Sequence, residues 1–353
     1  MALRWSDWPA GVRETLQAGV AIPAHPLALR ADRTLDERRQ RALSRYYLDA
    51  GAGGLAVAVH TTQFAIREVG LYEPVLRIAA GTAADWAKRP VAMIAGLVGK
   101  TAQARREAEV AVGLGYHAGL LSLAAMKGAS EDELIAHCRS VAEAIPLVGF
   151  YLQPAVGGIP LSAEFWQRFA EIEQVVAIKI APFNRYATLD VVRGVVAARA
   201  EERVTLYTGN DDAIVADLAT PFAMRRGDDS VIVRIKGGLL GHWCVWTKTA
   251  VDLLARIHAA VETRQVDAAL LAIGTQVTDC NAAFFDVAND FRGCIAGCHE
   301  VLRRQGLLEG IWCLDPEEGL SPGQAAEIDR VIAAYPALND DAFVAANLDR
   351  WLA

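Results

Sequence analysis

Lysine occurs six times in this chain against 29 arginines, and one of the six, Lys179, interrupts the aliphatic run Val175-Val176-Ala177-Ile178-Lys179-Ile180. Arginine does not give up its proton, whereas an amine desolvated by apolar neighbours has a lowered pKa and can attack a carbonyl to form an imine. A strand-end lysine can also snorkel to solvent and do no chemistry, and Lys179 alone fits both readings. Tyr151 ends a second apolar run that begins at Leu147. If alternate residues of both runs face the same interior, its phenol meets the amine; otherwise it is a packed aromatic at a strand end. A third run ends in His60-Thr61-Thr62-Gln63. The two threonines offer hydroxyls and backbone amides to a carboxylate, although threonine is also a common strand residue, and His60 is either an acid–base group or a packed imidazole. A rival cluster is Arg234-Ile235-Lys236-Gly237-Gly238, whose cations and glycines suit a phosphate or simply pair with Asp228, Asp229 or the Asp211-Asp212 turn. Lys236 is the one competitor of Lys179 for an imine.

These residues need elements to position them. Eight short β-like runs, at 19–22, 54–59, 91–95, 119–123, 147–151, 175–180, 204–207 and 231–235, alternate with helix-like stretches such as 35–50, 101–113, 130–145, 162–173 and 188–200. Thr101, Ser130, Ser162 and Thr188 stand as helix-starting caps, Ser130 with Glu133 as a capping box. Strands apolar on both faces suit a parallel sheet covered by helices, so eight strand–helix units predict an α/β fold, a (β/α)8 TIM barrel. A doubly wound open sheet is the alternative, but no GxGxxG follows any strand. From residue 239 the pattern turns helical, over 239–261, 268–277 and 282–305, with a loop at 315–322 and a further helix over 323–335. The division expected is a catalytic barrel over 1–238 and a C-terminal helical region over 239–353 packed on it. In a barrel of this order Lys179 lies on the sixth strand and Tyr151 on the fifth, converging at the C-terminal mouth.

Composition narrows the function. With 353 residues, 53% apolar and 22% charged, the chain can bury a large core. A net charge of −7 without a long basic run points away from nucleic acid and gives no polybasic membrane signal. The opening MALRWSDWPAGVRE has no leader pattern and no later stretch is apolar enough to span a bilayer, so a cytoplasmic protein is expected. Six cysteines without a CxxC pair read as reduced thiols; Cys294 and Cys298, four apart before His299, read as packed helix residues rather than metal ligands. Neither a metal nor another cofactor is expected.

Together these segments resemble the dihydrodipicolinate synthase and N-acetylneuraminate lyase family, class I pyruvate-dependent aldolases on a (β/α)8 barrel, over about residues 19–335. The family's Gly-Thr-Thr-Gly-Glu signature matches as His60-Thr61-Thr62-Gln63-Phe64, its Tyr-Asn-x-Pro segment as Tyr151-Leu152-Gln153-Pro154, and its Schiff-base lysine as Ile178-Lys179. Its Gly-x-Asp-Asp/Glu turn matches Gly209-Asn210-Asp211-Asp212. The resemblance implies a lyase in which Lys179 forms the imine with a 2-oxo acid such as pyruvate, Tyr151 shuttles protons, and Thr61 and Thr62 hold the carboxylate. His60, Gly209, Asp211 and Asp212 would meet the remainder of the substrate, and a homo-oligomer, dimer or tetramer, is expected. The arginine that would take a second carboxylate is missing from Ala155-Val156-Gly157-Gly158, and Ala124-Ala125-Met126 stands where the family carries a tyrosine pair, which disfavours lysine biosynthesis. Two alternatives share the lysine: a dehydratase of 2-keto-3-deoxy sugar acids, and a catalytically silent homologue that binds a keto acid.

Overall fold

The structure, a computed structural model, describes residues 2–353. Eight parallel strands form its centre: β1 (Ala21–Pro23), β2 (Gly54–Val57), β3 (Ala92–Leu97), β4 (Ala118–Leu121), β5 (Leu147–Leu152), β6 (Val175–Ala181), β7 (Thr205–Thr208) and, after a hairpin, β10 (Ile235–Leu240). They are ordered β1-β10-β7-β6-β5-β4-β3-β2, and a parallel bridge between Ala24 and Ala56, with His25 N donating to Ala56 O at 2.8 Å, joins the two ends. This is the expected (β/α)8 barrel. Each strand is followed by a helix: α2 (Glu37–Ala50), α3 (Tyr72–Trp86), α4 (Thr101–Gly113), α5 (Glu131–Ala142), α6 (Ala163–Ala170), α7 (Arg185–Ala197), α8 (Ile214–Ala219) and α9 (Thr247–Glu262). The short α1 (Val12–Ala18) closes the N-terminal end, where Tyr207 Oη donates to Leu16 O at 2.6 Å. Among the described residues no helix is long and apolar enough to cross a membrane.

Helix starts follow the caps only in part. Ser130 and Glu133 form the expected capping box, and Ser162 Oγ accepts from Phe165 N at 3.0 Å. Thr101 and Thr188 instead lie inside their helices; α7 is capped by Asn184, whose Oδ1 accepts from Tyr186 N and Ala187 N.

The run expected as the eighth strand, 231–235, does something else. Phe222–Arg226 (β8) and Asp229–Val233 (β9) pair as an antiparallel hairpin outside the barrel, and the barrel strand begins at Ile235. Lys236 therefore sits at the N-terminal end of the barrel, exposed, with Nζ 3.4 Å from Gln17 O, while Arg234 Nη1 donates to Ala219 O. The suggested phosphate cradle is at the wrong end of the strand for a site at the C-terminal mouth, and Lys236 is no competitor there. β10 also runs across residues 238 and 239, where the sequence pattern placed a division.

Beyond the ring lie α10 (Ala268–Phe284), α11 (Cys294–Arg304), α12 (Gln324–Ala334) and α13 (Asp341–Leu352). The helix expected over 282–305 is broken at 285–293. Asp286, Asp290 and Phe291 all take left-handed backbone conformations (φ 56°, 54° and 65°), and the Asp286 carboxylate accepts from Asn289 Nδ2 (2.7 Å), Gly293 N (3.0 Å) and Ser321 Oγ. Left-handed non-glycine residues cost about 1–3 kcal/mol each and persist only where surrounding bonds hold them, as these do. At the far end, α13 is tied to α2 through Tyr46 Oη to Asp340 Oδ2 (2.7 Å) and Trp351 Nε1 to Asp49 Oδ2 (2.6 Å).

Candidate active site

β6 turns Ala177, Lys179 and Ala181 toward the barrel interior, with Ile178 and Ile180 packed outward against the helices. Lys179 is only 8% exposed, and its Nζ lies 4.5 Å from the centroid of the Phe150 ring. The strand places this amine at the floor of a cavity of about 80 Å³ at the C-terminal mouth. One water needs only about 10–15 Å³ of such space, so the cavity takes several water-sized groups. Gly209, just past β7, makes space for the lysine stem: a Cβ there would stand 2.6 Å from Lys179 Cε and 2.8 Å from Ala181 Cβ.

Tyr151 does not join it. The phenol points out of the barrel, where Oη lies 3.2 Å from Leu161 N and 3.3 Å from Leu161 O and the ring packs on Trp166 at 5.2 Å. The reason is one residue of register. Leu147 pairs with Val175, but Val148 pairs with Ala177, so an irregularity at Val176 inserts an extra residue into β6. Without it Tyr151 would stand opposite Lys179; with it Phe150 does, and Tyr151 falls opposite Ile180 on the outer face. Leu147, Gly149 and Tyr151 do share one side, as alternation requires, and that side meets the helices.

The threonine pair divides its work. Thr62 is fully buried, its Oγ1 donating to His25 O at 2.6 Å and accepting from Val59 N at 3.2 Å, so it fastens the turn. Thr61 lines the cavity with only a long 3.5 Å contact to His25 O, which leaves its hydroxyl available. Gln63, in the place of a signature glycine, keeps a left-handed backbone (φ 66°) and accepts from Leu314 N at 2.6 Å, anchoring the C-terminal loop to this turn. His60 also lines the cavity; burial, and secondarily the Lys179 charge, lower its pKa to about 4, so it is a neutral imidazole at pH 7.

The turn after β7 supplies the site's carboxylate. Asn210 braces it, accepting from Phe183 N at 3.0 Å and donating through Nδ2 to Asp217 Oδ2 (2.9 Å) and Thr188 Oγ1 (3.1 Å), while Arg185 pairs with Asp217 from outside. Asp211 lines the cavity, with Oδ1 accepting from His242 N at 3.2 Å and its backbone carbonyl held by Asn281 Nδ2 at 2.6 Å. Burial raises the Asp211 carboxyl pKa and lowers that of the Lys179 amine, and each charge partly offsets the other's shift. Asp212 is exposed and does not line the cavity; its carbonyl accepts from Thr278 Oγ1.

Sequence reasoning missed Phe150, Gln153, Phe183 and the wall of Phe285, Phe291, Cys294 and Ile295 that the C-terminal helices place over the mouth. Phe150 was legible only through the register. The wall carried a signal, the Asp286, Asn289, Asp290 and Gly293 cluster of turn-forming residues. Cys294 and Cys298 both lie on α11, Cys298 fully buried and Cys294 at the cavity.

A sequence profile of the dihydrodipicolinate synthetase family matches residues 19–264. A 4-hydroxy-tetrahydrodipicolinate synthase of Azoarcus sp. (strain BH72) is 29% identical over 199 residues, which are 56% of this chain and 65% of that protein, so the chain spans slightly under two thirds of that relative's length. Among solved structures, a chloride-inhibited dihydrodipicolinate synthase from Acinetobacter baumannii in complex with pyruvate superposes with a TM-score of 0.72 at 18% identity, over 90% of this chain and 98% of that one. An N-acetylneuraminate lyase from Mycoplasma synoviae superposes with a TM-score of 0.67 at 15% identity, over 90% and 98%. The structural likeness carries the barrel and its C-terminal helices, and the profile carries the kinship: the chain belongs to the dihydrodipicolinate synthetase family.

Proposed function

We propose that this protein is a class I lyase or aldolase that makes or breaks the carbon–carbon bond next to a 2-oxo acid, with pyruvate as donor or product, through an imine on Lys179. The observation that carries this reading is the Lys179 amine itself, desolvated at the barrel mouth with its pKa held well below the lysine value of 10.5. The names of the relatives, and the pyruvate bound to the Acinetobacter enzyme, support pyruvate as the keto acid. Thr61, with its uncommitted hydroxyl, suits the carboxylate; Gly209 leaves the lysine free to reach the ketone.

In this scheme the neutral amine attacks the ketone carbon, and the carbinolamine loses water to give a protonated imine. That cation draws electrons from C3, so a C3–C4 bond breaks to an enamine as the C4 hydroxyl surrenders its proton and an aldehyde departs. The reverse direction forms the same bond. Proton traffic falls to Asp211, the one carboxylate lining the cavity among the described residues, whose raised pKa suits it to take and return a proton near neutrality. Tyr151 is held away from this path.

Sodium borohydride with pyruvate, followed by peptide mass spectrometry, tests the reading: a reduced three-carbon adduct is expected on Lys179. Because the amine must be neutral to attack, the initial trapping rate should rise with pH and level off well below pH 10.5; a midpoint at or above that value, or an adduct on Lys236 only, would remove the proposal. Tyr151→Phe should keep trapping within about threefold of the parent, against the 10²–10⁴-fold typical of losing a positioned acid–base group. Its cost should appear instead as about 1 kcal/mol of stability from the lost contacts with Leu161, measured by urea unfolding.

A further inference from the structure

Two phenylalanines face each other across the mouth in backbone conformations that phenylalanine seldom adopts. Phe183 has φ 49° and Phe291 has φ 65°, and their rings meet edge to face with centroids 6.0 Å apart. Phe183 N is tied to Asn210 Oδ1, and the 285–293 segment is tied through Asp286 to Asn289, Gly293 and Ser321. Strain held this firmly on two separate elements, and aimed at one cavity, marks a built surface. Phe285, just past α10, and Ile295 on α11 extend it, as do Leu152 at the end of β5 and Val156 in the segment after it. No arginine lines this cavity among the described residues, although the chain holds 29.

Such a wall selects by what it cannot satisfy. A hydroxyl pressed against these rings, rather than against the polar side of the cavity where His60, Gln153 and Asp211 stand, goes without a partner at a cost of about 1–3 kcal/mol, and a second carboxylate, with no guanidinium to receive it, costs more. An apolar chain gains about 25 cal/mol for each Å² it removes from water. Resting on the reading of Lys179 as the imine-forming lysine, we propose that the aldehyde this enzyme adds or releases carries an apolar carbon chain, and that Phe183 and Phe291 select it over polyhydroxylated and dianionic aldehydes. In the forming direction the pyruvate methyl loses a proton, its carbon bonds to the aldehyde carbon, the aldehyde oxygen takes a proton, and water frees Lys179 with release of a 4-hydroxy-2-oxo acid.

The test uses the full chain with pyruvate and, separately, 2-methylpropanal, benzaldehyde, D-glyceraldehyde and succinic semialdehyde, with product quantified by chromatography. At least one apolar aldehyde should show kcat/KM about tenfold or more above D-glyceraldehyde and succinic semialdehyde, the size of discrimination an apolar pocket delivers. Phe291→Ala should erase most of that ratio, chiefly through KM for the apolar aldehyde, and Phe291→Leu, which keeps an apolar side chain, should retain it. A preference for glyceraldehyde or the semialdehyde, or an unchanged ratio in Phe291→Ala, overturns the proposal while pyruvate is still trapped on Lys179. Absence of any trapped pyruvate would overturn the imine reading and this proposal with it.

Discussion

Lys179→Met should abolish both the borohydride adduct with pyruvate and turnover, with a loss of at least about 10⁴-fold, because no other amine lines the cavity among the described residues and covalent catalysis has no partial substitute here. Methionine is chosen over arginine on physical grounds. It is close to lysine in length, needs no solvation, and lies over Phe150 as the amine does, whereas a guanidinium cannot be neutralised in this site. The fold should survive. Asp211 loses the cation that lowers its pKa, so its carboxyl stays protonated to higher pH and no unpaired buried charge is left behind. Unchanged circular dichroism and a cooperative melt, together with zero adduct, would assign the loss to chemistry; residual adduct at another lysine would show that the imine forms elsewhere.

What the sequence disclosed and what it withheld follow a physical division. Lys179 was legible because a charge inside an aliphatic run is expensive and therefore conspicuous. The barrel was legible because strands buried on both faces read as short apolar runs, and seven of the eight lie within a few residues of where those runs place them. The eighth was displaced because the most β-like residues there belong to a surface hairpin. Its turn signal, Gly227 followed by Asp228 and Asp229, stood in plain view, while Gly237 and Gly238 disguised the true strand. The tyrosine assignment failed for a different reason. Alternation was right, yet an irregularity at Val176 has no residue signature, and one inserted residue exchanges the faces presented to the barrel. Asp211 was found through resemblance alone. Its partnership with Lys179 depends on β6 and β7 lying side by side, with Lys179 opposite Tyr207 four residues before the aspartate. The turn-forming residues Asp286, Asn289, Asp290 and Gly293 signalled a break in the helix, but the return of residues 285–295 over the mouth is a long-range contact that local pattern does not encode.

Asp211→Asn separates proton transfer from imine formation. The amide keeps an oxygen for the His242 N–H and closely matches the carboxyl in shape, so the turn braced by Asn210 and Asn281 should hold. What changes is charge and proton capacity. Asp211 raises the Lys179 pKa, so its removal lowers that pKa further, and the pH midpoint for trapping pyruvate with borohydride should move down relative to the parent. Adduct would then form at least as readily at pH 7. Carbon–carbon bond cleavage or formation should nevertheless fall by about 10²–10⁴-fold, because the amide cannot take the C4 hydroxyl proton or return it to the enamine. These opposite movements have no common structural cause: a misfolded or collapsed site would lose trapping and turnover together. If turnover persists within a few-fold while trapping shifts downward, Asp211 serves only to tune the amine, and the proton must pass through Thr61, His60 or water.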